Sequence, residues 1–438
     1  MEQSASPTCR ASYAGFPSEY DEPGPAREFG NRLPGCSADS GYPGHRFYPA
    51  ESGLRPNQTH QLNRNLLLFS LSLMTWGIGE GMFIYFQPLY LEELGADPIL
   101  IGTILGSVGM AMTISHLPAG YLSDRFGRRP LLWAAWVVAT AATWLMALAT
   151  SMPIFITGAI IYGITGFVAG PINGYITAAR GKWSVARALT LISATYNTGA
   201  ILGPLMGGWV GEHLGLRWTF VYGGILLLLS TGIILLIHDQ PVEHRQPEEN
   251  QPRWKELVQI RFSLFMGIVF FTMFMMYLPQ PLSLNFLKNE RGLDVNQMGS
   301  LISARSAGVV LLSLVLGQMN ARFGFLIAQF VMVGFTFVIW RGNDFPWYLA
   351  GYFLLGSYQT ARILAAALAR SLVKSSNMGL AYGALETISG LVIIFGSPLA
   401  GFFYSLNPTL IYRIGLVGTG AALLISVVLI PQISEKKV

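Results

Sequence analysis

The chain has 438 residues, of which 52% are hydrophobic and 12% charged, with a formal net charge of +5. Soluble domains carry about twice that share of charge, so the composition excludes an ordinary soluble protein and fits helices packed in a lipid bilayer. The positive balance does not point to nucleic acid: the basic residues of the body sit in short breaks between apolar segments, where they set membrane orientation.

Residues 1–61 are rich in Pro, Gly and Ser and contain no apolar run long enough to span or pack. This composition predicts a disordered tail, which either binds a partner or is an unselected extension. Both cysteines, Cys9 and Cys36, lie in it, so the apolar body has no disulfide framework and no cysteine metal site. From Asn65 onward, apolar segments alternate with short polar breaks. Twelve spans are predicted, at 65–91, 98–121, 130–150, 153–178, 187–211, 216–238, 262–287, 297–317, 323–340, 346–371, 378–404 and 409–431. The break at 239–261, rich in Pro, Glu, Gln and Arg, reads as a solvated linker between a six-span unit at 62–238 and another at 262–432; residues 433–438 form a short tail. Lys and Arg concentrate in the breaks after spans 2, 4, 8 and 10, whereas the break after span 1 carries Glu92, Glu93 and Asp97. That bias predicts that both termini, the tail and the linker are cytoplasmic.

The loop Gly120–Tyr121–Leu122–Ser123–Asp124–Arg125–Phe126–Gly127–Arg128–Arg129 lies between spans 2 and 3. Gly120 and Gly127 permit a tight reversal there. Part of it recurs in the second half: Gly120, Arg125, Phe126 and Gly127 are matched by Gly317, Arg322, Phe323 and Gly324, while Asp124 is replaced by Ala321. Pro204, Leu205 and Gly207 in span 5 are echoed by Pro398, Leu399 and Gly401 in span 11. Two echoes in equivalent places favour a duplicated six-helix unit.

The loop resembles the signature of the major facilitator superfamily, G-x-L-[AS]-D-R-x-G-R-[RK], at every fixed position. The resemblance implies an all-α membrane protein with twelve transmembrane helices in two pseudo-symmetric six-helix bundles, working as a transporter by alternating access. It also implies that Gly120, Asp124, Arg125, Gly127, Arg128 and Arg129 help to latch the two halves; Asp124 and Arg128 would do so against span 11. Span 5 carries Gly199, Gly203, Pro204, Gly207 and Gly208, similar to an element found often in the superfamily's proton-driven exporters. Physically it is a bare helix face for close packing with a proline that invites a bend. Gly102/Gly106 in span 2 and Gly166/Gly170/Gly174 in span 4 read as packing stripes.

Ionisable residues inside spans are expensive and mark candidate sites. Glu80 lies about 22 Å along span 1 from Asn65, at about 1.5 Å per residue. It either holds and releases a proton or stays neutral and bonds a neighbouring helix. Gly79 and Gly81 are expected to leave its carboxyl accessible. Arg362 in span 10 and Glu386 in span 11 lie at similar depth on adjacent helices and can pair, as a structural or a gating couple. Arg305 in span 8 can attract an anionic group, act on a nearby acid, or snorkel outward.

The resemblance further implies a cavity lined by spans 1, 4, 7 and 10, where this chain offers Phe83, Tyr162, Asn173, Tyr277, Gln280, Asn285, Tyr358 and Gln359. Aromatic walls with one acid suit a small amphipathic or cationic molecule. Many proton-coupled exporters of the superfamily carry an Arg in span 4, and Gly158–Gly163 here has none, so any proton coupling falls to Glu80 with other partners. The expected function is export of such a compound driven by proton entry, by a monomer in the cell membrane that needs no cofactor or metal and is not an enzyme. Uptake of a nutrient with Glu80 as the symport acid is the alternative; a non-transporting membrane sensor or docking protein is another.

Overall fold

The structure, a computed structural model, describes residues 56–181, 183–240, 260–370, 372–373 and 378–434, without the side chains of 56–63, 117–121, 124, 186, 378–380 and 431–434. Most of the expected tail and linker, and residues 435–438, therefore lie outside the described residues.

The described chain is helical throughout, and each predicted span is a helix. Numbered by crossing, they are α1 (Pro56–Phe83, continued by Gln87–Glu93), α2 (Pro98–Phe126), α3 (Arg128–Ala147), α4 (Met152–Ile164, continued by Ala169–Ala179), α5 (Val185–Leu214), α6 (Leu216–Ile234), α7 (Ile260–Tyr277, continued by Ser283–Arg291), α8 (Val295–Gly317), α9 (Ala321–Arg341), α10 (Phe345–Leu355 and Ser357–Arg370), α11 (Met378–Leu406) and α12 (Leu410–Ser434). The first helix begins at Pro56, upstream of the expected start, because Pro is well tolerated in the first turn of a helix. Ten crossings are long and apolar enough to span a bilayer. The other two are α5, diluted by Gly, Ser, Thr and Asn, and α10, split at Gly356. Large apolar side chains such as Leu314, Val417 and Leu424 are exposed on the outer surface, as a lipid-facing wall requires.

Four helices are interrupted: α1, α4, α7 and α10. A 3-10 turn at Ile84–Phe86 precedes Pro88 in α1, and one at Thr165–Val168 precedes Pro171 in α4. Pro279 and Pro281 separate the two parts of α7, since proline cannot donate the backbone bonds that a helix needs. In α10 the break falls at Gly356, where an added Cβ would overlap the backbone of Gly308 and Val309 in α8. Interrupted helices in a membrane are tolerated where they line protein-buried or wet space.

Glycine decides the packing. A Cβ at Gly199, Gly203 or Gly207 would strike the carbonyls of Met74, Ile78 or Met82 in turn, so α5 lies against α1 backbone to backbone. Behind this seam, the Trp136 indole N–H of α3 reaches the hydroxyls of Ser72 (3.1 Å) and Ser230 (3.0 Å), and the Ser230 hydroxyl donates to the Ser72 carbonyl at 2.7 Å. Such polar ties join α1, α3 and α6 where water is absent.

Helices α1–α6 pack among themselves, as do α7–α12, and the two bundles meet along α2 with α11 and along α5 with α8. Gly102, Gly106 and Gly109 of α2 touch Ser397, Ile394 and Ile393 of α11, so the span-2 stripe is indeed a packing surface, but one between bundles. On the other seam Gly208 abuts Gly299, and the Ser303 hydroxyl donates to the Ile201 carbonyl at 2.7 Å.

Candidate functional site

The inter-bundle hydrogen bonds among the described residues cluster at the end that carries Glu92. The Glu92 carboxylate accepts from the amides of Asn285 (2.5 Å) and Asn289 (2.6 Å), and Lys288 approaches Glu93 at 3.8 Å. Glu212 at the end of α5 accepts the Val295 backbone N–H at 2.8 Å, at the positive N-terminus of α8. This end is sealed. Between the seal and the opposite end, a cavity of about 860 Å³ is walled by α1–α5, and a second of about 460 Å³ by α7, α10 and α11.

Glu80 lies in the wall of the larger cavity, in the last turn of the first part of α1, beside the 3-10 interruption. The Tyr162 hydroxyl of α4 donates to its Oε1 at 2.8 Å and the Tyr196 hydroxyl of α5 to its Oε2 at 2.9 Å. Trp76, one turn earlier, completes the polar setting. Each oxygen is thus held by a neutral donor, and among the described residues Glu80 has no ion pair. The rest of the wall is apolar: Leu73, Ile84, Val108, Met112, Ile172 and Ile176. A carboxyl so placed can exchange a proton with the cavity while its position stays fixed.

The expected roles divide. Tyr162 and Asn173 line the larger cavity and Gln359 the smaller one. Phe83 does not line either; it is fully buried, edge-on to Tyr162 and against Phe220. Asn285 does not either; it belongs to the seal. Gln280 folds back on its own chain, its amide donating to the Met276 carbonyl at 2.9 Å. Tyr277 shares a hydrogen bond with Ser397 at 3.0 Å and lies 6.2 Å from the Tyr358 ring. Gly79 and Gly81 do not open a path to Glu80: Gly79 packs on Gly223 and Leu227 of α6, and Gly81 on Gly203 and Pro204 of α5.

Arg362 and Glu386 are in contact, Nη2 to Oε2 2.9 Å, at the wall of the smaller cavity with Glu386 largely exposed. Arg305 does not reach Glu80. Its guanidinium lies 5.1 Å over the Tyr85 ring, and its buried Nε has no partner.

The loop is bound to its own bundle in this conformation. Arg128 donates to the Gly174 carbonyl of α4 at 2.8 Å; Arg129 pairs with Asp239 at 2.7 Å and stacks over Trp133. Gly127, at φ +82, makes the reversal. Gly120 takes no part in that reversal, since helix α2 runs unbroken through it to Phe126. The side chains of Gly120's neighbours Ala119 and Tyr121, and of Asp124, lie outside the described residues.

Tyr196 and Trp76 were not expected at the site. Tyr196 stands three residues before Gly199, hence on the α5 face that meets α1, and that spacing was the available signal.

The model of the Major Facilitator Superfamily matches residues 68–282 and 264–438. The chain belongs to the major facilitator superfamily. This is a transporter family, and the chain is accordingly an integral multi-pass membrane protein. A superfamily relative in Lactococcus lactis, a multi-drug resistance efflux pump PmrA homolog, is 22% identical over 85% of this chain and 96% of its own length. An uncharacterized superfamily transporter of Methanocaldococcus jannaschii is 22% identical over 43% of this chain, which spans about half (49%) of that relative. The quinolone resistance protein NorA of Staphylococcus aureus is 23% identical over 41% of this chain and 46% of its own. Among solved superfamily structures, the nucleoside transporter NupG superposes with a TM-score of 0.69 over 84% of this chain and 99% of its own, at 14% identity. A D-xylose–proton symporter gives 0.64 over 86% and 100%, at 15%. These likenesses establish the fold.

Proposed function

We propose that this superfamily member is a secondary active transporter that exports a small amphipathic compound in exchange for protons, by alternating access of a single chain. The observation that carries the proposal is Glu80: a carboxyl in an apolar cavity, clamped by two tyrosine hydroxyls and without an ion pair among the described residues. Protonated, it leaves the wall neutral and receptive to an apolar body; ionised, it leaves an uncompensated charge, which favours the next conformational step. Export, rather than uptake, is supported by an efflux-pump relative that matches 85% of the chain, by a resistance protein that matches 41% of it, and by the Gly199–Gly208 element.

With the basic loops cytoplasmic, the sealed end at Glu92 faces outward and this conformation is open to the cell interior. Both termini are then cytoplasmic and the host membrane is the cell membrane. The 62–238 and 262–432 bundles rock about the two glycine seams. In the opposite conformation the Gly120–Arg129 loop closes on the second bundle as a latch.

The test is flux in proteoliposomes loaded with fluorescent amphipathic dyes. Glu80→Gln should abolish accumulation driven by a pH gradient while dye-for-dye exchange persists. Full gradient-driven accumulation by the variant would overturn the coupling role.

A further inference from the structure

Arg305 is a charge that the molecule leaves unanswered. It sits within α8, about 15 Å in from the helix start at the sealed end. Its Nε is buried without a partner, and among the described residues it forms no ion pair. Tyr85 of the first bundle offers only its ring face, 5.1 Å away. Tyr85 directly follows Ile84, which lines the larger cavity. Arg305 therefore stands between the bundles, against the residue that follows the wall position Ile84 on the helix that carries Glu80.

A ring face is a weak counterpart to a half-buried guanidinium whose Nε has no hydrogen-bond partner. The fork of N–H groups matches a carboxylate, which tyrosine hydroxyls can also serve as donors. Snorkelling does not answer the charge, because Nε points into protein. Glu80 does not answer it either: among the described residues the two form no ion pair.

We propose that Arg305, backed by Tyr85, is an anion subsite at the bundle interface beside the larger cavity, and that the transported compound is an aromatic or otherwise apolar molecule bearing a carboxylate. This rests on the transport reading but not on proton coupling. The carboxylate would bridge the two bundles through Arg305 while the apolar body lies along the wall beside Glu80. Substrate class and coupling are thus assigned to different residues.

Binding to the full chain in nanodiscs separates the two. Three matched fluorescent probes serve: 9-anthracenecarboxylate, its carboxamide and 9-anthracenemethylamine, each corrected with empty nanodiscs. The intact protein should prefer the carboxylate to the carboxamide by at least about tenfold, as a charge-assisted contact of about 1.5 kcal/mol gives. Arg305→Gln should remove that preference without weakening the carboxamide. Arg305→Lys should retain part of it, having the charge but not the fork, and keeps the test decisive if the glutamine variant fails to fold. Glu80→Gln should keep the preference even as it loses gradient-driven flux. Equal binding of carboxylate and carboxamide by the intact protein, a preference for the amine, or an undiminished carboxylate preference in either Arg305 variant would overturn the subsite. Flux coupled to protons in Glu80→Gln would overturn the coupling role alone.

Discussion

The seal at Glu92 supports a quantitative prediction about the conformational balance. One carboxylate of the first bundle holds two amides of the second, from Asn285, which is 2% exposed, and from Asn289, which is exposed. A buried hydrogen bond to a charged acceptor contributes about 1.5 kcal/mol net. The exposed one contributes about 0.5 kcal/mol, after the discount that water imposes on surface contacts. Glu92→Ala removes both. It also frees one of the two Asn285 amide hydrogens, the other still bonding the Pro88 carbonyl at 3.2 Å, so the loss is at least the sum of the two bonds. The sealed end should therefore lose about 2 kcal/mol against the state open at that end, a factor of about 30 in population. A protein sealed for about nine-tenths of the time would be sealed for about a quarter of it in the variant. Glu92→Gln keeps an acceptor without the charge and should fall between the two. The assay is double electron–electron resonance in nanodiscs, with labels on the exposed positions Trp218 of α6 and Trp347 of α10. The longer-distance population should grow in the order native, Gln, Ala. Identical distance distributions in all three, or a larger change in Gln than in Ala, would refute the reasoning that this carboxylate holds the bundles together.

Two further outcomes test the packing and the second cavity. Gly203→Ala should lower the thermal midpoint, because the new methyl overlaps the Ile78 carbonyl and overpacking costs about 1–3 kcal/mol; Gly170→Ala, where no atom lies within 4 Å of the new Cβ, should not. Arg362→Gln and Glu386→Gln should be non-additive in a double-mutant cycle on unfolding, with a coupling of about 0.2–1 kcal/mol, as befits a pair in which Glu386 is largely exposed; strict additivity would show the contact to be energetically empty.

Fold and site were not equally legible in the sequence, and particular residues show why. Spans announce themselves through length and apolarity, and loops through charge, so twelve helices could be placed before any coordinates were known. The Arg362–Glu386 contact was legible too, because two charges at equal depth on consecutive helices have few other partners. Phe83 and Asn285 were not. In a membrane bundle, lipid-facing and buried positions are both apolar, so helical periodicity does not say which way Phe83 turns. Asn285 was placed on a cavity wall because it is polar, when its partner, Glu92, lies far off in the sequence across the bundle interface.

The glycines around Glu80 carry the sharper lesson. Flanking glycines read as access to a carboxyl, yet Gly79 and Gly81 give their faces to α6 and α5. Backbone contact on two sides fixes α1 in rotation, and a fixed α1 delivers the Glu80 carboxyl to two tyrosines on two different helices. Access comes instead from the interruption at Ile84–Phe86 just beyond it and from the matching one at Thr165–Val168 in α4, after Tyr162. The same interruptions recur in α7 and α10, whose second parts carry the seal residue Asn285 and the cavity residue Gln359. Unbroken α2 and α11, and α5 and α8, meet along glycine seams, while broken α1 and α4 bring Glu80 and Tyr162 together beside the cavity and unbroken α5 adds Tyr196. Glu80, Tyr162 and Tyr196 all belong to the first bundle, so a tilt of one bundle against the other along the inter-bundle seams leaves the hydrogen bonds that position Glu80 undisturbed.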